Sequence, residues 1–98
     1  MNINIEKNNG TTVIKLDGRL DTTTAPELEK TINAEGEALK DLVLDFKGVD
    51  YISSAGLRVL LTAQKKMNVQ GKMELVNVSE AVMDILEMTG FAEILVIR

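Results

Sequence analysis

The sequence predicts an α/β domain with a mostly parallel sheet in the order β-β-α-β-α-β-α-β, opened by an N-terminal hairpin whose outer strand is an antiparallel edge. Three observations carry this prediction. Short apolar runs, Leu42 to Phe46, Met73 to Val78 and Ile94 to Ile97, alternate with stretches of helical periodicity. Ser or Thr opens each helical stretch and Gly follows its end. Two alternating runs on either side of Asn8-Asn9-Gly10 supply the hairpin.

In the first strand Ile3 and Ile5 alternate with Asn2, Asn4 and Glu6, and in the second, Thr12 to Asp17, Ile14 and Leu16 share one face. Gly18 is expected to break that strand and lead into a polar connection ending at Thr24. Thr24 and Glu27 stand at capping-box spacing around Pro26, so a helix begins there. It buries Ala25, Leu28 and Ile32, and Gly36 ends it. Asp41 to Phe46 is nearly continuous in apolar residues, as in a central strand covered on both faces. An acidic, glycine-containing turn follows, and at Ser53-Ser54 a second helix starts.

Leu57, Leu60, Leu61 and Met67 form the inner stripe of that second helix, opposite Arg58, Thr62 and Lys65, and Gly71 turns the chain. Ser79 caps the third helix, whose inner stripe is Val82, Ile85, Leu86 and Thr89. Glu80, Asp84 and Glu87 face water, and Gly90 stops the helix with Phe91 packed behind it. Ile94 to Ile97 is expected to be a final buried strand. The five methionines stand at core-like spacing and read as packing.

Composition narrows the function. The 98 residues fit one domain, 1–98, with room for one site. Hydrophobic residues at 45% and charged residues at 27% are those of a folded chain, not a disordered one. A net charge of -4 argues against a nucleic-acid partner, whose affinity comes from clustered Lys and Arg. Without Cys or His there is no disulfide, no Cys/His metal site, no thiol nucleophile and no histidine-based triad. No apolar run approaches the roughly 20 residues that cross a bilayer, and the first residues do not read as a secretion signal. The expectation is a cytoplasmic protein with no membrane partner.

Glycine spacing matches neither GxGxxG nor GxxxxGK, and no Gly-x-Ser-x-Gly surrounds Ser54. Asp21, Asp45 and Asp50 read as solvated residues of an acidic protein, so no metal and no cofactor is expected. The serine pair is different. A helix start presents free N–H groups and a positive dipole end, a setting that suits a phosphate or an anionic partner. One serine suffices for a cap, and Gly56 in the first turn costs about 1 kcal/mol relative to Ala, as though something approaches the backbone there. If strands two and three are parallel neighbours, Asp21, Thr22 and Thr23 leave the same sheet edge as Ser53 and Ser54.

Taken together, Leu16-Asp17-Gly18-Arg19-Leu20-Asp21, Asp45-Phe46-Lys47-Gly48-Val49, Ile52-Ser53-Ser54-Ala55-Gly56-Leu57, Gly71 and Met88-Thr89-Gly90-Phe91 make the chain resemble the STAS domain, in particular bacterial anti-sigma factor antagonists. The resemblance implies a non-enzymatic partner switch. Unphosphorylated, such a protein binds an anti-sigma factor that is also a serine kinase. Phosphorylation lowers affinity, and a serine phosphatase restores it. On this sequence Ser54 falls on the phosphoacceptor, with Ser53 the alternative. Asp21 falls on the acidic contact of the neighbouring loop, Gly56 and Leu57 on the partner-facing helix start, and Thr22, Thr23 and Ser53 complete the surface. The family pattern often places Asp where Ser53 stands and a second hydroxyl where Ala55 stands. The free chain is expected to be a monomer. Two other readings are a receiver-like domain taking phosphate on Asp45 or Asp50, and a signalling scaffold in which the serines only cap.

Overall fold

A computed structural model describes residues 1–98. Strand β1 (Asn2–Asn8) pairs antiparallel with β2 (Thr11–Leu20) through a turn in which Asn9 and Gly10 both take positive φ, the geometry that matches the twist of a tight hairpin. Strand β2 pairs parallel with β3 (Asp41–Ile52), and β3 parallel with β4 (Lys72–Val76). The result is a four-stranded mixed sheet in the order β1-β2-β3-β4. Helix α1 (Ala25–Ala34) links β2 to β3, α2 (Ser54–Gln70) links β3 to β4, and α3 (Glu80–Met88) and the short α4 (Phe91–Ile94) follow.

The α/β class and the order of the elements as far as α3 are those of the sequence reading, with informative differences. Burial alternates along β2 and β3, so the sheet is covered on one face and not on both. Ile14, Leu16, Leu42, Leu44, Phe46, Met73 and Leu75 join Leu28 and Ile32 of α1, Leu60 and Met67 of α2, and Val82 and Leu86 of α3 in one core. The alternate residues Val13, Lys15, Val43, Asp45 and Glu74 are half-buried or exposed. The physical reason stands in the sequence: Asp41 and Asp45 lie two residues either side of Val43, and unpaired carboxylates stay hydrated. That face instead carries polar pairs, Thr11 to Asp41 at 2.9 Å and Lys15 to Glu6 at 3.3 Å.

The expected final strand is reduced to one parallel bridge between Leu75 and Ile97. Leu95 is buried, but Ile94 and Val96 are about half exposed. Helix α4 takes Phe91–Ile94 into a helical turn, and β4 offers only five residues to pair with. Gly18 does not end β2, nor do Lys47 to Tyr51 form a turn. Both strands run on through register shifts between Lys15 and Asp17 and between Gly18 and Arg19. Such bulges absorb the extra residues and leave the ladder to resume, with Gly18 at φ 123 where a side chain would be strained. Among the methionines Met67 and Met73 are buried, whereas Met88 is 82% exposed and packs nothing.

Candidate functional site

The bulges carry β2 and β3 to a common end. Leu20 and Ile52 are register partners, and the Ser53 N–H donates to the Leu20 carbonyl at 2.9 Å. The loop before α1 and the start of α2 therefore leave adjacent carboxyl ends of parallel strands, which brings Asp21, Thr22 and Thr23 beside Ser53 and Ser54.

Ser53 is the N-cap of α2, with extended backbone and a hydroxyl that accepts from the Gly56 N–H at 3.4 Å. Its carbonyl accepts the Leu57 N–H at 2.9 Å. Ser54 is the first helical residue and is exposed, and its hydroxyl makes no hydrogen bond within the chain. Two adjacent hydroxyls thus have different situations. The N–H groups of Ser54 and Ala55 have no intrahelical acceptor, as in any first turn.

The neighbouring loop is organised by Asp21. Its carboxylate accepts from the Thr23 hydroxyl at 2.8 Å and from the Thr23 and Thr24 N–H groups at 3.0 and 3.2 Å. The capping box expected at Thr24 and Glu27 is not made: Thr24 has no side-chain cap bond to the helix. Its hydroxyl reaches backwards, donating to the Arg19 carbonyl at 2.6 Å and accepting from the Asp21 N–H at 2.8 Å. Arg19 lies over the Tyr51 ring, 4.2 Å from its centre, and approaches Asp21 at 3.9 Å. Neither Arg19 nor Tyr51 is singled out by sequence reasoning, because the bulge that pairs them leaves no local signal. A shallow groove of about 230 Å³ separates the two loops' helices, lined by Thr22, Pro26, Glu29, Ala55 and Arg58 among others.

Residues 2–98 match the STAS domain. The chain belongs to the STAS domain family. BtrV of Bordetella bronchiseptica, assigned as an anti-sigma factor antagonist, is 34% identical over 96 residues that cover 96% of this chain and 83% of BtrV. An anti-sigma factor antagonist from Mycobacterium paratuberculosis is 26% identical with a TM-score of 0.86, over 98% of this chain and 83% of that one. The Bacillus cell fate determinant SpoIIAA, in its phosphorylated form, shares the fold with a TM-score of 0.77 at 20% identity, over 99% of this chain and 91% of SpoIIAA.

Within this STAS domain two of the expected partner-facing residues are not presented to a partner. Gly56 and Leu57 are both buried. A Cβ on Gly56 would lie 2.8 Å from Ile52 Cγ1 and 2.9 Å from both Leu20 Cγ and the Leu20 carbonyl oxygen. The close approach that demands glycine is therefore made by the chain's own strand ends. Leu57, one residue on, points into the core cluster. Asp45 accepts from the Lys47 N–H and the Asn77 side-chain amide, both at 3.0 Å, and Asp50 is exposed. No three acidic side chains converge into a group that could hold a metal ion. No helix is long and apolar enough to cross a membrane.

Hydrogen bonds from the Thr23 hydroxyl, opposed by partial desolvation and reinforced by the Thr23 and Thr24 N–H groups, hold the Asp21 carboxyl below its ordinary value of 3.8. A lowered folded-state pKa means that the loop gains stability from ionised Asp21 above the ordinary value and loses it as pH falls through the folded value. We expect the Asp21 carboxyl carbon, followed by NMR, to titrate with a midpoint below 3.8. Thr23→Val should move that midpoint back upwards, and an unchanged midpoint would remove the Thr23 hydroxyl as the cause.

Proposed function

We propose that this STAS domain is an anti-sigma factor antagonist, a non-catalytic binding module of the bacterial cytoplasm switched by phosphorylation of Ser54. Unphosphorylated, it binds an anti-sigma factor with serine kinase activity. Transfer of phosphate to Ser54 releases that partner, and a serine phosphatase resets the switch. The binding surface centres on Ser54 and draws on Asp21, Thr22, Thr23 and Ser53 from the two loops, in a single domain over residues 1–98 that is monomeric when free.

One observation carries this reading: the Ser54 hydroxyl is exposed and unbonded while its neighbour Ser53 performs the capping. A phosphate on Ser54 would add about -1.5 to -2 charges at a helix N-terminus, where the dipole and free N–H groups tolerate it. A partner surface packed over the same place would have to desolvate or repel it. Phosphate on Ser53 would instead disturb the cap, which makes Ser54 the better acceptor. The names of the relatives and the phosphorylated form of SpoIIAA support the same reading.

The test is to incubate the purified domain with ATP and a recombinant anti-sigma factor that has serine kinase activity, then map phosphate by peptide mass spectrometry. Acid-stable phosphate is expected on Ser54, absent from Ser54→Ala and retained in Ser53→Ala. Label on Ser53, or an acid-labile phosphate on Asp45 or Asp50, would sink the assignment.

A further inference from the structure

The charge of the chain is unevenly placed. Residues 1–72 hold ten basic and ten acidic side chains, whereas residues 73–97 hold five acidic ones, Glu74, Glu80, Asp84, Glu87 and Glu93, and no Lys or Arg. The net charge of -4 therefore comes entirely from the C-terminal quarter, less the one positive charge of Arg98. Arg98 is paired with Glu74, so the other four carboxylates, on α3 and α4, have no basic partner.

The same region exposes apolar surface. Gly90, at φ 81, turns the chain so that α4 folds back beside the end of α3. Between them lies a shallow groove of about 760 Å³, lined by Met83, Glu87, Met88, Ala92 and Glu93 among others. Met88 is 82% exposed, and Ile94 of α4 is 48% exposed. A methionine left in water at the mouth of a groove is an adaptable apolar contact, and the carboxylates on the rim fix the sign of what it can meet.

We propose that the α3–α4 groove is a docking surface for a protein segment that carries Lys or Arg around an apolar anchor side chain. Charge complementarity selects this occupant: an acidic segment would face Glu87 and Glu93 on the rim, with Asp84 and Glu80 further back along α3 adding to the same sign, and a neutral one would leave them uncompensated. The surface is separate from the serine turn. Helices α2 and α3 both begin at the carboxyl ends of their strands and run back along the sheet, so the end of α3 lies away from Ser54. A partner held here stays bound whatever the state of Ser54, and its binding is tested on unphosphorylated protein.

The probe is a synthetic peptide with Lys and Leu at helical spacing, titrated into isotope-labelled protein and followed by amide NMR shifts. Expected are shifts concentrated between Met83 and Glu93, about tenfold weaker binding in Met88→Ser, and a larger loss in Glu87→Lys/Glu93→Lys. Both replacements are at exposed positions, and circular dichroism verifies that the variants fold. Equal binding by the variants, equal binding of a Lys/Ser peptide lacking the anchor, or shifts spread over the molecule would overturn the proposal. So would sedimentation of the free protein as a dimer that Met88→Asp dissociates, since the groove would then be covered by a second copy.

Discussion

Gly56→Ala lowers the unfolding free energy by about 2 kcal/mol, although alanine is the better helix former by about 1 kcal/mol. The sign is decided by what surrounds the new methyl group. Leu20 and Ile52 side chains could rotate away, each at the expense of core packing, but the Leu20 carbonyl oxygen at 2.9 Å cannot. It is backbone, and it is fixed by the Ser53 N–H that joins the end of β2 to the start of α2. To accept a Cβ the helix must lift from the strand ends, loosening Ser53 and its cap together. Overpacking of this kind costs about 1–3 kcal/mol, and the larger Gly56→Val exceeds it. The measurement is the urea midpoint at constant slope. Leu20→Ala alone should cost about 2–5 kcal/mol, and the pair should cost less than the two separately, because removing the Leu20 side chain frees part of the space. A rise in midpoint for Gly56→Ala would show that the strand ends do not crowd this position.

Why glycine stands there could not be read from the sequence. A glycine in the first turn of a helix announces a close approach, but it does not say what approaches. The answer depends on the register between β2 and β3, and that register depends on two bulges. Asp17-Gly18 and Lys47-Gly48 have the composition of turns, yet in the structure both strands run through them. Only the pairing of two distant segments reveals this, since each is locally turn-like. The same bulges bring Arg19 across from Tyr51, which is why that pair was also invisible.

Features decided locally were legible. The cap within the serine pair, the buried face of α1, that of α3 except for Thr89, which is exposed at the helix end, and the hairpin at Asn9-Gly10 each follow from residues within one or two turns of one another. The adjacency of the Asp21 loop and the serine turn was legible as well, because parallel βαβ connections leave few alternatives. Two failures have a clearer lesson. Leu42-Val43-Leu44 looks buried on both faces until Asp41 and Asp45 are counted with Val43 on the same side of the strand. Ile94 to Ile97 has the composition of a strand, but Gly90 starts a new helical turn so close before it that only Ile97 reaches the sheet. Hydrophobic runs of four residues indicate burial better than they indicate the element that achieves it.

Ser54→Asp weakens binding of the serine-kinase partner by about a hundredfold, equivalent to about 2.7 kcal/mol, while leaving the fold as stable as before or slightly more so. The two effects have opposite signs for a physical reason. In the free domain an added carboxylate meets the positive end of α2, an interaction that contributes about 0.3–1 kcal/mol at an exposed site. In the complex the same charge must be stripped of water against a surface shaped for a hydroxyl, and that penalty exceeds the dipole's contribution. Ser53→Ala reverses the pattern. It removes the acceptor for the Gly56 N–H and costs about 0.5–1 kcal/mol, towards the low end for a cap because that hydrogen bond is 3.4 Å long. The Ser54 hydroxyl remains free, so affinity should change less than threefold or so, the scale of a small cap rearrangement. Isothermal titration with the recombinant kinase and urea unfolding of each variant measure both quantities on the same samples. Loss of stability without loss of binding in Ser54→Asp, or loss of binding in Ser53→Ala equal to that in Ser54→Asp, would make the serine pair a cap and nothing more.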